Sequence, residues 1–425
     1  MTRVAITAVG AVTPLGNDAA TTWEGLTTGR SGVGRLTTFD AEGFSVRIAA
    51  QVKDFDAKTA IPARVGRKHL SRVGQFGVAA AWEAVRNAGL DEVPLDVYPA
   101  EERGVSMGAS VGRPELQTLL DIGHLRATTG RPDAFICQPP AVTLTDDQNV
   151  PLAAMARMIG ATGPMMGIST ACAGSGHAIG EAFRAIQEGD AKVMVAGGYD
   201  SLTTWLDILG FSLLGALTDQ HNDDPEHASR PFDADRSGFV VGEGAVAVVL
   251  EDMDTARARG ATILAEVLGY ASTLNAYRIT DSPPDGSGAI QAMEGALADS
   301  GLKTGDIDYV VAHGTSTHGN DHSETVAIKK VFGDDADGLV VSAPKSMAGH
   351  LTSASLGLGV LAAIGAMKHS LVPPTVNLDK NDRGLDLDYV PHTARPMPVG
   401  AALVNAFAFG GSNTSIVIGA AGEDA

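Results

Sequence analysis

Residues 165–186 read MMGISTACAGSGHAIGEAFRAI, and residues 339–364 read LVVSAPKSMAGHLTSASLGLGVLAAI. Each stretch opens as a short apolar run of strand length, passes through a turn of small residues, and continues at helical period as a segment rich in Ala and Gly. Each also brings a reactive side chain, Cys172 or His350, near the strand-to-helix junction. Two such units in one chain predict a duplicated layered α/β core.

Outward from these stretches the pattern repeats. Short β-branched runs at Val4–Val12, Gly104–Ser110, Val193–Gly197 and Gly244–Leu250 join Met165–Ser169 in the first part. Ile263–Gly269, Tyr309–Ala312, Leu339–Ser342, Ala402–Ala406 and Ser415–Gly419 follow in the second. Helix-length segments alternate with them at Gln75–Ala88, Gly176–Glu188, Ile290–Asp299, Ser323–Phe332 and Ser355–Lys368. No Pro/Ser-rich linker intervenes, so the reading is of two halves, 1–255 and 256–425, in one body.

At 425 residues the chain exceeds what one hydrophobic core usually fills. A formal charge of −19 argues against nucleic acid or an anionic membrane as a main partner, because both require a cationic face. No apolar stretch is long enough to span a bilayer, and the opening MTRVAITAVGAVTPLG lacks the pattern of a signal peptide. Two cysteines, Cys137 and Cys172, make no disulfide framework, which points to a reducing cytoplasm.

Of the two thiols, Cys172 has the functional context. In ISTACAGSG it follows a strand and starts a helix, where unsatisfied N–H groups and the helix dipole favour the thiolate, so a lowered pKa is expected. Ala171, Ala173, Gly174 and Gly176 leave room for a long substrate to reach the sulfur. Cys137, in AFICQPP, has no comparable setting and is expected to be inert.

His313 closes an apolar strand in YVVAHGTSTHGND, the strand end where α/β folds place chemistry. His350 lies about one turn beyond Lys345 in APKSMAGHLTSAS. Two neutral imidazoles can each donate an N–H to a thioester oxygen as charge develops there. Most of the 11 histidines must be ordinary: His318 and His322 read as loop residues, and His177 is unassigned. HGTSTHGNDH matches no metal-ligand spacing, and Asp321 and Glu324 serve equally well as hydrogen-bond partners, so no metal is expected. In NAFAFGGSNTSIVI, Gly410 and Gly411 permit positive φ, which lets the Phe409 N–H face a reacting carbon while its ring closes an apolar channel. RPFDADRSGFVVGEGAVAVVLE lacks GxGxxG spacing and reads as structural.

Taken in order, TACAGSG, RPFDADRSGFVVGEGA, HGTST, KSMAGH and FAFGGSN resemble the motifs of the elongating β-ketoacyl-acyl carrier protein synthases, along nearly the whole chain. The resemblance implies a thiolase-like, duplicated five-layered α/β/α/β/α fold and an obligate dimer. It implies that Cys172 is acylated from carrier-protein phosphopantetheine, with no resident cofactor. His313 and His350 would stabilise the enolate formed when malonyl-carrier protein decarboxylates, and the N–H groups of Cys172 and Phe409 would form the oxyanion hole. By the same resemblance Lys345 has an electrostatic or structural role, and Glu324 orders the network. Thr280, Thr315 and Thr317 would hold the pantetheine arm, while Val111, Phe211 and Phe409 would line or gate the acyl channel.

Three departures bear on substrate. Ala408 replaces a Gly of the gating loop, which implies a stiffer opening; Gly359 stands where Glu is expected. QPPAVTLTDDQNVPLAAMARMIG carries Asp146, Asp147 and Gln148 where the family has small or apolar interface residues. That polarity places a type II polyketide ketosynthase, paired with a chain-length-factor-like subunit, ahead of a homodimeric fatty-acid elongating enzyme. Cys172 disfavours the non-catalytic chain-length factor itself, and Cys137 is badly placed to be a thiolase's second cysteine. A cysteine hydrolase, with water as acceptor, is the reading outside the family.

Overall fold

The computed structural model describes residues 2–91, 96–110, 112, 116–134, 144–145 and 147–422. The β-branched runs form the strands of one main sheet: β1 (Val4–Val12), β2 (Arg103–Gly108), β3 (Met165–Ile168), β4 (Val193–Ser201) and β5 (Glu243–Asp252). The second half supplies β6 (Ala265–Leu274), β7 (Tyr309–Val311), β8 (Val340–Ser342), β9 (Ala401–Phe407) and β10 (Ser412–Ala420). The 10-stranded sheet runs β8-β7-β9-β10-β6-β1-β5-β4-β2-β3. Read from either end the order is the same, β3-β2-β4-β5-β1 and β8-β7-β9-β10-β6, with the first three strands parallel and the rest antiparallel. The duplication expected from the two small-residue stretches is therefore complete at the level of topology.

The halves join where Val4, Ala5 and Ile6 pair with Val267, Glu266 and Ala265. Arg3 clasps Glu266 across this seam through hydrogen bonds of 2.8 and 2.5 Å. Each half carries three matching helices: α1 (Arg72–Asn87), α2 (Asn149–Ile159) and α3 (Gly174–Glu188), then α4 (Ser287–Ser300), α5 (His318–Phe332) and α6 (Ser355–His369). α1 and α2 bury Phe76, Val78, Leu152 and Met155 on one outer sheet face, against Val105 and Val195. α4 and α5 bury Met293, Leu297, Ile328 and Phe332 on the other, against Val310 and Leu403. α3 and α6 lie between, where Ile179, Phe183, Leu358 and Val360 share a core with β1, β5, β9 and β10. These are the five layers, the two five-stranded halves of the continuous sheet serving as the two β layers. The central pair must be small because both sheets press on it: a Cβ on Gly180 would fall 2.2 Å from the Tyr270 ring of β6.

The segment 138–160, read from sequence as an interface stretch, ends in helix α2. Gln148 is its N-cap; Asp147, one residue earlier, accepts the Asn149 N–H at 2.8 Å, and Gly160 stops the helix at φ 62°.

Both small-residue junctions are elbows with left-handed backbone at a non-glycine residue, Ala171 and Thr352, each at φ 46°. A single 3₁₀ turn follows in each, Ala171–Ala173 and Thr352–Ala354, and runs into α3 or α6. Cys172 is thus matched by Ser353. His350 is not its counterpart, contrary to the sequence reading; it stands in the longer connection after β8, beyond the short helix Lys345–Ala348. Ser353 Oγ donates to the Ala171 carbonyl at 3.1 Å and ties the two elbows together.

Candidate active site

The elbow at Cys172 lies in the wall of a cavity of about 500 Å³, which His313, His350, Phe407 and Phe409 also line. The fold produces this convergence by symmetry: β3 and β8 occupy equivalent places, so the connections after them meet between the two sheets. Gly174 is needed at the junction, because a Cβ there would lie 2.9 Å from Ser353 Cβ.

The backbone N–H groups of Cys172 and Phe409 lie near the sulfur and favour its anion. Phe409 is held there by the diglycine turn between β9 and β10, with Gly410 at φ 85° and Gly411 at φ 82°. Gly410 N–H donates to the Ile279 carbonyl at 2.7 Å, anchoring the loop beside the cavity mouth. The expected lowering of the thiol pKa is reversed. Removal from water pushes Cys172 up to about 12, with Asp200 adding to the rise; Lys345 and the two N–H groups oppose it without overcoming it. At rest the sulfur carries its proton.

Burial holds both His313 and His350 well below the usual histidine range, with the Lys345 cation adding to it, so both rings are neutral. Their tautomers follow from their partners. His350 Nδ1 accepts the Thr352 N–H at 3.2 Å and lies 2.8 Å from Ser355 Oγ, so the ring proton is on Nε2. Lys345 Nζ donates to the His313 carbonyl at 2.6 Å and approaches His313 Nδ1 at 3.3 Å, which again puts the proton on Nε2. The rings stand edge to face with centroids 5.3 Å apart. The site therefore presents two neutral N–H donors.

Glu324 does not line the cavity. It lies beneath the His313 turn and accepts the N–H groups of His313 at 2.7 Å and Gly314 at 2.8 Å, and the Asn405 amide at 3.2 Å. Burial raises its pKa and lowers that of Lys345, each restrained by the other's charge. Glu324 is thus a positioning residue, not a substrate contact. Asp321 accepts the N–H groups of Thr315 and Phe232, so both carboxylates near HGTSTHGNDH hold backbone.

Thr280, Thr315, Thr317 and Phe211 line the cavity. Val111, Cys137 and Asp146 lie outside the described residues. Asp147 is exposed just before α2, and neither it nor Gln148 is among the described residues that line this cavity. His177 is fixed structurally: its Nδ1 donates to the Ala173 carbonyl at 3.1 Å, and its Nε2 meets Ser272 Oγ at 2.9 Å. At Gly359 a Cβ would meet Val404 Cγ1 at 2.6 Å, so a valine fills the side where a carboxylate was expected. The GEG turn is structural as read: buried Glu243 accepts the Val52 N–H at 3.0 Å and pairs with Arg72 at 2.8 Å.

The sequence reading missed Phe239 and Thr352. Phe239 lines the cavity with its ring centroid 5.4 Å from that of His350. Its signal was available in RPFDADRSGFVVGEGA, where an aromatic follows Gly238, a residue at φ 145°. Thr352 had no signal of its own.

Comparison with known proteins agrees with this geometry. The family model described as "Beta-ketoacyl synthase, N-terminal domain" matches residues 1–256, and that of the C-terminal domain matches 264–379. A relative from Synechocystis sp., 3-oxoacyl-[acyl-carrier-protein] synthase 2, is 43% identical over 419 residues, covering 97% of each chain. A beta-ketoacyl synthase from Burkholderia phymatum has a similar structure, with TM-score 0.88 and 33% identity over 99% of this chain and 100% of that one. A type II polyketide ketosynthase, solved with its acyl-carrier protein and bound to the hexaketide, gives TM-score 0.86 and 31% identity over the same shares. Matched along both halves by these models and relatives, the chain belongs to the beta-ketoacyl synthase family of condensing acyltransferases.

Proposed function

We propose that this chain lengthens acyl groups on acyl carrier protein as a fatty-acid elongating β-ketoacyl synthase. The observation that carries the pathway is the 43% identity to 3-oxoacyl-[acyl-carrier-protein] synthase 2 along 97% of the chain. This reverses the order reached from sequence, which put the polyketide ketosynthase first on the strength of Asp146, Asp147 and Gln148. The polyketide reading stands second, supported by a TM-score of 0.86 to a ketosynthase of that kind.

In the first half-reaction the pantetheine arm runs along Thr280, Thr315 and Thr317, and the acyl carbonyl oxygen accepts from the Cys172 and Phe409 N–H groups. Cys172 sulfur bonds the acyl carbon, the carbon–sulfur bond to pantetheine breaks, and the thiol proton leaves on the pantetheine sulfur. Malonyl-carrier protein then occupies the arm site. Its thioester oxygen accepts from Nε2–H of His313 and His350 as the carboxylate departs as carbon dioxide and its bonding electrons form the enolate. The enolate carbon attacks the acyl-Cys172 carbonyl; the Cys172 sulfur leaves and takes a proton from solvent.

The reaction requires no resident cofactor, and a cytoplasmic setting fits its carrier-borne substrates. The short edge strand β3, with Met165 49% exposed, supports association with a second subunit, identical or chain-length-factor-like. Intact mass, carbon dioxide release and product should be followed with acyl- and malonyl-carrier protein. Acylation confined to Cys172 is expected, with His313→Ala and His350→Ala each lowering decarboxylation about 10²–10³-fold. A wild-type chain that neither acquires an acyl group nor decarboxylates malonyl-carrier protein would refute the reading.

A further inference from the structure

Nine large hydrophobic residues are exposed among those described, and five of them lie on two short segments, 213–214 and 274–279. Leu213 is 79% exposed and Leu214 58%; Tyr277 is 48% exposed and Ile279 79%. Both segments reach the catalytic cavity. Leu214 and Gly215 line it at the first, and Thr280 and Asp281 continue the second into its wall, so these exposed residues stand where the cavity opens to solvent. The first segment ends the helix Trp205–Leu213, which is started by reciprocal hydrogen bonds between Thr204 and Asp207 and buries only Asp207 and Ile208. The second is tied to the diglycine turn, where the Gly410 N–H donates to the Ile279 carbonyl at 2.7 Å. Clustered aliphatic side chains left in water around a cavity mouth mark an interaction surface.

We propose that this rim grips the body of the acyl carrier protein by apolar contact rather than by charge. The proposal rests on the acyl-transfer reading above: an arm that reaches Cys172 through this mouth leaves the carrier body seated on whatever surrounds it. Charge gives the carrier little to hold there. Among the described residues no Lys or Arg lines the cavity, and the segments 205–216 and 274–283 contain one, Arg278, whose guanidinium is already on Asp281 at 3.1 Å. Asp281 is itself part of the wall, and the chain as a whole carries a formal charge of −19. Exposed aliphatic side chains, by contrast, gain free energy from any contact that takes them out of water, with little dependence on ionic strength. A second copy of the chain is the other candidate for covering apolar surface, but a copy seated here would close the entrance that the substrate must use.

The test follows Cys172 acylation by intact mass in wild type, Leu213→Ser and Ile279→Ser, as a function of octanoyl-carrier protein concentration. Octanoyl-pantetheine, which has the arm without the carrier body, serves as the second donor. Each substitution is expected to raise the half-saturating concentration of the carrier-borne donor about tenfold and to leave acylation by octanoyl-pantetheine unchanged. In wild type that concentration should change less than about twofold between about 50 and about 500 mM sodium chloride. A steep rise with salt, or substitutions that leave the concentration where it was, would overturn the proposal. So would substitutions that slow both donors equally, which would put these side chains in the path of the arm. A wild-type dimer that the substitutions dissociate with no effect on carrier binding would give the rim to a second copy and overturn it as well. Acylation of Cys172 by neither donor would instead refute the acyl-transfer reading. Should a variant fail to fold, the salt dependence of the wild type still decides the question.

Discussion

At the scale of single residues, Cys172 shows how two opposing effects are weighed. A helix start and the Lys345 cation favour the thiolate, but loss of water outweighs them and leaves the thiol protonated, at about 12. Alkylation of Cys172 by iodoacetamide should therefore be slow near neutral pH and accelerate steadily into the alkaline range. Lys345→Met should slow it further, since Lys345 is the largest influence lowering this pKa. A rate that is flat from mildly acidic to mildly alkaline pH would mean a thiolate at rest. The geometry also resolves a question the sequence left open, the role of the carboxylates near His313. Glu324 and Asp321 each hold two or more backbone N–H groups of that turn or its neighbours, and this occupation makes them structural.

At the scale of elements, one carboxylate joins three pieces of the first half. Glu83, on α1, accepts the Ala11 N–H of β1 at 2.8 Å and the Ala19 N–H at the start of helix Ala19–Thr27 at 2.9 Å. Burial raises it to about 7, more than those two N–H groups lower it. Because the folded-state pKa lies above the unfolded one, the folded protein binds more protons between the two values. The stability this site contributes is complete in acid, declines as pH rises above the ordinary carboxyl range, and is lost above about 7. Urea midpoints measured across that window should show the slope in the wild type and a flatter profile in Glu83→Gln; parallel profiles would rule it out. The small-residue helices α3 and α6 were recognisable from their composition. Helix α2 was not: its segment was read as an interface stretch, and Asp147, which precedes the helix and accepts the Asn149 N–H, looks in sequence like an anomaly of the pocket.

At the scale of the whole molecule, the two halves are alike in topology yet not independent in energy. Ile179 and Phe183 of α3 pack in one core with Leu358 and Val360 of α6 and with strands of both halves, and β1 pairs directly with β6. Neither half can unfold without exposing this shared layer. Calorimetry should record a single transition whose van't Hoff and calorimetric enthalpies agree for the folding unit. Leu358→Ala should cost about 2–5 kcal/mol and move that transition as one, without splitting it. Two resolved transitions would mean that the halves fold separately.

The sequence by itself determined the strand set, since buried β-branched runs announce themselves wherever they occur, and all ten main-sheet strands lie within a few residues of the runs read from it. It also determined the family, because Cys172, His313, His350 and the Phe409 loop sit in short motifs whose residue types and order resemble those of the beta-ketoacyl synthases. Only the tertiary structure decided the ionisation of Cys172, the pairing of its elbow with Ser353, the place of Asp147 outside the described cavity wall, and the apolar rim at the cavity mouth. These depend on which distant segments meet. Desolvation and hydrogen-bond satisfaction are properties of surroundings that the duplicated sheets assemble from residues nearly two hundred positions apart, and no local pattern encodes them.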